Sequence, residues 1–211
     1  DYLLLNRKIT FWRHNEEVEK KGVLVTAGGS GLHGAPLMKA LQKISEHHRI
    51  RFLVGPFADR SALESQLHRL HFSNFEVIFN PVDPYQVYCQ SEVAISTFGV
   101  TTYELIALGI PTFVVQTSND ADREIVHYMA ESQVCIDALN LVSTPAELAK
   151  QILCLMENAE QRQQLSAKAK GWIDGRGAER VAKVIKSSLM RGQVNRQTIS
   201  PSQRPQASGP F

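Results

Sequence analysis

Residues 22–54 read GVLVTAGGSGLHGAPLMKALQKISEHHRIRFLV. A short apolar run from Gly22 to Ala27 leads into the turn Gly28-Gly29-Ser30-Gly31. Leu37, Ala40, Leu41 and Ile44 then recur at helical spacing, and a second apolar run, Ile50 to Val54, closes on Gly55-Pro56. Strand, turn, helix and strand in that order make a crossover unit. Two strands separated by a full helix pair in parallel, because a hairpin needs only a short connection.

The same rhythm continues in both directions. Asp59 is placed to cap a helix carrying Leu63, Leu67 and Leu70 on one stripe. Phe75 to Phe79 reads as a third strand, and Asp83-Pro84 opens a short helix with Gln86 completing a capping box. Glu92 to Ser96, Pro111 to Val115 and Val134 to Ile136 read as strands. Helices are expected from Thr101 to Leu108, stopped by Gly109, and from Asp120 to Ser132. Thr144-Pro145-Ala146-Glu147 is a further capping box opening a helix to about Glu157. Two more helices are expected near Ala159 to Lys170 and Gly177 to Met190. Alternation of this kind predicts an α/β fold: a Rossmann-like, doubly wound parallel sheet of about six strands in the order 3-2-1-4-5-6. Residues 1–21 read as an entry linker, 22–190 as the domain, and 191–211, rich in Gln, Ser, Arg, Pro and Gly, as a disordered tail.

With 211 residues the chain has room for one full domain. Its 23 Lys and Arg against 21 Asp and Glu leave a formal net charge of +2, which argues against a nucleic-acid partner. The longest apolar runs are strand-sized, short of the roughly 20 residues that span a bilayer. Cys89, Cys135 and Cys154 have no metal-like spacing and read as small buried hydrophobes in a reducing, cytoplasmic compartment. No metal or cofactor is expected. No signal peptide is recognisable, and the opening at Asp1 reads as that of a fragment or a processed product.

In an open α/β sheet, ligands sit beyond the carboxyl ends of the strands where the strand order reverses, here between strands 1 and 4. The first loop there, Ala27 to Gly34, holds Gly28, Gly29 and Ser30. Its glycines permit close backbone approach, and the following helix start favours an anion, so the loop suits a diphosphate. A purely structural glycine turn is the alternative. The spacing matches neither Gly-x-Gly-x-x-Gly nor a Gly-Lys-Thr phosphate loop, which disfavours a dinucleotide-dependent oxidoreductase. His33 reads either as a phosphate or sugar contact or as an exposed loop histidine. The second loop runs Ser96-Thr97-Phe98-Gly99-Val100-Thr101-Thr102-Tyr103-Glu104. Thr101 and Thr102 are candidates for phosphate contact and Glu104 for ribose; equally, Thr101 with Glu104 fits a capping box. After strand 5, Asn119 and Asp120 are candidates for a sugar or for a helix cap.

The run Gly99-Val-Thr-Thr-Tyr-Glu-Leu-Ile-Ala-Leu-Gly-Ile-Pro111 resembles the C-terminal nucleotide-binding domain of GT-B-fold sugar-nucleotide enzymes. It is most similar to the UDP-sugar hydrolase of pseudaminic acid synthesis and the related spore-coat polysaccharide proteins. Tyr2 to Leu5 resembles that family's entering linker, Gly28-Gly29-Ser30 its first phosphate loop, and Asp174 to Arg180 its C-terminal helix signature, so the likeness covers about residues 2–186. The chain departs from the pattern at Gly31-Leu32, where Asp-Pro is common, at Phe98, where a glycine is common, and at Asp120, where Gln follows the asparagine. The resemblance implies a UDP- or CMP-sugar held between two Rossmann-like domains. The diphosphate would lie on the loops of Gly28, Gly29, Ser30 and of Phe98, Gly99, Thr101, Thr102; the ribose on Glu104; the base near Val82 and Tyr85; the sugar near Asn119 and Asp120. It also implies a catalytic base on an N-terminal domain, supplied upstream or in trans, so that this chain alone is expected to be inactive. A GT-B glycosyltransferase's donor-binding half and a non-catalytic nucleotide-sugar or partner-binding module are the other readings.

Overall fold

The computed structural model describes residues 2–15, 18–26 and 35–197, with side chains as far as residue 190. The first glycine loop, with Gly28, Gly29, Ser30 and His33, lies outside the described residues, as do residues 198–211. The chain divides into two units: Leu5–Gly175, and the two ends, residues 1–4 with 176–211.

The larger unit is built on six parallel strands, β1 (Val23–Thr26), β2 (Ile50–Val54), β3 (Phe75–Phe79), β4 (Val93–Thr97), β5 (Thr112–Gln116) and β6 (Ile136–Asp137). Their order is β3-β2-β1-β4-β5-β6, the one expected from the alternation. Helices α1 (Lys8–Trp12), α2 (Ala35–Ser45), α3 (Arg60–Arg69), α4 (Pro84–Cys89), α5 (Val100–Ala107), α6 (Asp120–Glu131), α7 (Pro145–Glu157) and α8 (Ala159–Trp172) connect and cover them.

Side-chain alternation on the strands sorts the core into two layers. Val23, Val25, Ile50, Phe52, Ile95 and Phe113 face one way and pack with Leu37, Leu41 and Ile44 of α2 and Leu148, Ile152 and Leu155 of α7. Val114 faces the other way, with Ile106 of α5, Val126 and Met129 of α6, and Ala169 of α8. Each fully buried aliphatic side chain is worth about 1.5–3 kcal/mol. Arg51, between Ile50 and Phe52, is carried to the second face. Its guanidinium donates to the Gln90 and Lys21 carbonyls and to Ser91 Oγ (2.9 Å), tying β2 to the end of α4; burial lowers its pKa.

Several local expectations are corrected. Leu5–Asn15, placed in a separate entry linker, belongs to the sheet's unit: Ile9 is buried and Arg13 donates to the carbonyls of Ala107, Lys170 and Ile173. Cys154 is exposed, unlike Cys89 and Cys135. Thr144 makes no side-chain cap; its hydroxyl turns back to the Leu141 carbonyl (3.1 Å). Gly109 does stop α5. At φ +71° it lets its own N–H reach the Ile106 carbonyl and the Ile110 N–H reach Leu105, both 2.9 Å, a Schellman closure over two fully buried side chains.

In the smaller unit, α9 runs Gly177–Gln197, so residues 191–197, expected in the tail, are helical. A Cβ on Gly177 would stand 2.0 Å from the Leu3 carbonyl oxygen, which accounts for the glycine.

Candidate functional site

The carboxyl ends of the strands meet along one rim. Thr26 of β1 is in register with Leu53 of β2 and Ser96 of β4, and Thr97 of β4 with Gln116 of β5. The reversal of strand order falls between β1 and β4, so α5, which follows β4 directly, starts at the switch point.

Gly99 is the N-cap of α5, with extended backbone (φ 163°, ψ −166°), and a Cβ there would meet nothing within 4 Å. Among the described residues, therefore, neither backbone strain nor packing requires glycine. Among the described residues no acceptor is found for the N–H groups of Val100 and Thr101, the unpaired donors of a helix start. These amides and the open space over Gly99 form a surface a ligand's anionic group can approach.

Two neighbours expected to join them are committed elsewhere. The Phe98 N–H donates to the Gln116 carbonyl (2.7 Å), and its ring packs edge-on against Tyr103, with centroids 5.5 Å apart. Thr102 is 0% exposed; its hydroxyl donates to the Thr97 carbonyl (3.0 Å), and its N–H donates to the Gly99 carbonyl (3.0 Å). Both residues brace the loop instead of presenting donors outward.

The capping box expected of Thr101 and Glu104 does not form. The helix begins at Val100, so Thr101 already lies inside it, and Glu104 Oε1 instead accepts the Tyr85 hydroxyl at 2.7 Å. Tyr85 belongs to α4. Asp83 caps that helix: its Oδ1 accepts the Tyr85 N–H (3.1 Å), while Oδ2 accepts Lys8 Nζ (3.2 Å) and Trp12 Nε1 (3.3 Å) of α1. Gln86 makes no reciprocal bond among the described residues, so Asp83 caps without a box. Partial burial pushes the Asp83 carboxyl up, but the bonds from Lys8, Trp12 and the Tyr85 amide, with the Lys8 charge, outweigh it and hold the group below its ordinary value.

Helices α4 and α5 meet through matched spacings. Tyr85 and Tyr88 stand three residues apart on one face of α4, and Thr101 and Glu104 three apart on one face of α5. Tyr85 reaches Glu104, and Tyr88 and Thr101 line one hollow. The tyrosine rings pack edge to face, with centroids 5.7 Å apart at 89°. Burial, then the bonded carboxylate, pushes the Tyr85 phenol up; burial takes Tyr88 to about 12 and raises Glu104 despite the bond from Tyr85. Of the two residues expected near the base, Tyr85 is 5% exposed with its hydroxyl engaged by Glu104, and Val82 is 99% exposed. A hollow of about 210 Å³ lies beside the pair, lined by Thr26, Val54, Gly55, Pro81, Tyr88 and Thr101.

Asn119, a candidate for sugar or for cap, is the cap. Its Oδ1 accepts the Asp122 N–H (2.9 Å) and its Nδ2 donates to Asp122 Oδ2 (3.0 Å). Asp120 is exposed at the start of α6 on the same rim. A larger hollow, about 430 Å³ by Glu92, Pro111 and Arg162, flanks the amino ends of β4 and β5, away from this rim. Among the described residues no group of three or more His, Cys, Asp or Glu is arranged to hold a metal, and no helix is long and apolar enough to cross a membrane.

No family model matches the sequence, and comparison with curated proteins gives no match. Solved structures do match. An Acinetobacter baumannii MurG is 16% identical with a TM-score of 0.65, over 85% of this chain and 53% of that one. The S. aureus MnaA–UDP co-structure is 16% identical with a TM-score of 0.62, over 88% of this chain and 49% of that one. The pneumococcal O-GlcNAc transferase GtfA in complex with UDP and GlcNAc is 16% identical with a TM-score of 0.57, over 82% and 37%. The chain thus spans about half the length of the first two. At these identities the likeness is one of fold: the six-stranded parallel sheet is a Rossmann-like unit of the kind that forms one half of a GT-B fold.

Proposed function

We propose that this chain is the nucleotide-sugar-binding half of a two-domain GT-B enzyme acting on a UDP- or CMP-sugar. The observation that carries the reading is Gly99: a glycine that, among the described residues, neither conformation nor packing requires, beside two amides with no acceptor among those residues, at the switch point of the sheet. The diphosphate is assigned to the N–H groups of Val100 and Thr101, together with the loop of Gly28, Gly29 and Ser30. The ribose is assigned to Glu104, the base to the hollow and the open surface of Val82, and the sugar to the side of Asp120. The UDP bound in two of the matched structures supports a uridine nucleotide. The run from Gly99 to Pro111 favours a sugar-nucleotide hydrolase of surface-glycan or nonulosonic acid synthesis. The likeness to an O-GlcNAc transferase favours the second reading, the donor-binding half of a glycosyltransferase. A cytoplasmic setting is in keeping with three free cysteines. The catalytic base is assigned to an N-terminal Rossmann-like domain, upstream or in trans.

A thermal-shift panel of UDP, CMP, GDP and NAD tests the proposal. A uridine or cytidine nucleotide at about 100 times its Kd is expected to stabilise the chain by ~2.7 kcal/mol, and NAD to do less. NAD preferred, with no pyrimidine-nucleotide response, would overturn it.

A further inference from the structure

We propose that Tyr85 is a positioning residue for ligand recognition: its hydroxyl fixes Glu104 Oε1 so that Oε2 is presented to the vicinal diol of a ribose, which makes the pair a selector for nucleotides that carry the ribose hydroxyls over their 2′,3′-dideoxy counterparts. The inference rests on the nucleotide-binding reading above and adds to it the group that sets the carboxylate's orientation.

A glutamate on a helix surface samples several rotamers and rotates about its last bond. Here one carboxylate oxygen is tied to a phenol at 2.7 Å, and no other described residue donates to the carboxylate. The phenol itself cannot wander. The Tyr85 ring is buried and wedged edge-on against Tyr88, and its backbone N–H is held by Asp83. Asp83 is held in turn by Lys8 and Trp12 of α1. The chain of contacts runs from α1 through the cap of α4 to the first turns of α5, where the Val100 and Thr101 amides, without an acceptor among the described residues, lie. A carboxylate with one oxygen engaged and no described donor on the other is an acceptor of fixed direction. A cis-diol can donate to it, and a dideoxyribose has no hydroxyl to do so.

The test is calorimetry on the 211-residue chain with UDP and with 2′,3′-dideoxy-UDP, for wild type, Tyr85→Phe, Glu104→Ala and the double variant. Wild type is expected to prefer UDP by about tenfold or more, in keeping with a charge-assisted hydrogen bond. Tyr85→Phe keeps the ring packing and should lose most of that preference. In the Glu104→Ala background it should change nothing further, a non-additivity that a merely structural role of the hydroxyl would not produce. A Tyr85→Phe variant that folds yet keeps the wild-type preference overturns the inference while leaving the nucleotide-binding reading intact. So does an effect of Tyr85→Phe that persists without Glu104. A wild type that binds neither ligand overturns both. Should Tyr85→Phe fail to fold, Asp83→Ala loosens the same turn without touching the ring; it is expected to lower the preference, and an unaltered preference overturns the inference.

Discussion

Replacing Gly99 by alanine separates the fold from the site. The added methyl group meets nothing within 4 Å, and the backbone at φ 163° is extended, so the folded chain has no reason to resist it. Alanine caps a helix less well than glycine, but it also narrows the unfolded ensemble; the two effects oppose, each below about 1 kcal/mol. The melting temperature should therefore move by no more than about 2–4 °C for a domain of this size. Affinity should behave differently. A diphosphate close enough to bond the Val100 and Thr101 amides would have to displace the methyl group, and losing one such bond to a charged oxygen costs about 1.5–3 kcal/mol. That corresponds to a Kd for UDP weaker by roughly 10- to 150-fold. Thermal unfolding without ligand and calorimetry with UDP measure the two sides independently. A folded Gly99→Ala variant that binds UDP within about twofold of wild type would refute the phosphate role, because the added methyl group would then not stand where the diphosphate has to approach.

Two further perturbations have opposite signatures. Gly109→Ala forces a side chain into φ +71° and sets its Cβ 2.7 Å from Lys170 Cγ and Ser166 Oγ; it should destabilise by about 1–2 kcal/mol, lower the melting temperature by a few degrees and leave UDP affinity unchanged, so weakened binding by the folded variant would contradict the assignment of the site. For Asp83, whose folded value lies below the unfolded value of about 3.9, the stabilisation is present above the unfolded value and disappears as the pH falls through the folded one; urea unfolding should show Asp83→Ala less stable than wild type at about pH 7, with the gap narrowing toward about pH 3, and a gap independent of pH would count against the carboxylate's bonds to Lys8, Trp12 and the Tyr85 amide.

How far the sequence could be read follows from the range of each signal. Strand order was legible because alternating strands and helices with right-handed crossovers leave few topologies, and Gly109 was legible because a helix stop is written within two residues of itself. Asp59 and Asn119 cap their helices as single residues, again a local matter. The capping boxes failed for a reason that local pattern does not contain. Thr101 and Glu104 have the right types at the right spacing, but α5 starts one residue earlier, and the partner that takes Glu104 lies nineteen residues back in the chain. The paired three-residue spacings, Tyr85 with Tyr88 and Thr101 with Glu104, were the available signal. They become meaningful only once β4 is known to lie beside β1, which sets α4 against α5. Arg51 shows the same limit: nothing local distinguishes it from an edge-strand arginine, and its burial depends on Lys21, Gln90 and Ser91 converging from elsewhere in the chain.

Among the described residues of the rim, Tyr85, Glu104 and Asp122 are each engaged in an internal hydrogen bond. A general base works best when its pKa lies near the working pH and its acceptor faces the attacking oxygen. Tyr88 is pushed up to about 12, and the Tyr85 phenol rises as well, so both stay protonated, and Tyr85 donates to Glu104. Asp122 accepts from Asn119 at the start of α6. Burial raises Glu104, the direction a base would need, but one of its carboxylate oxygens accepts the Tyr85 hydroxyl, and the proposed ribose assignment would commit the group to the ribose rather than to the sugar. A carboxylate fixed in this way improves discrimination among ligands, and the same fixing removes the freedom to approach a water molecule beside the leaving group. On the proposed reading, binding and proton transfer would divide between two domains: this rim would orient the nucleotide through Gly99, Glu104 and Tyr85, and the proposed N-terminal domain would bring the base.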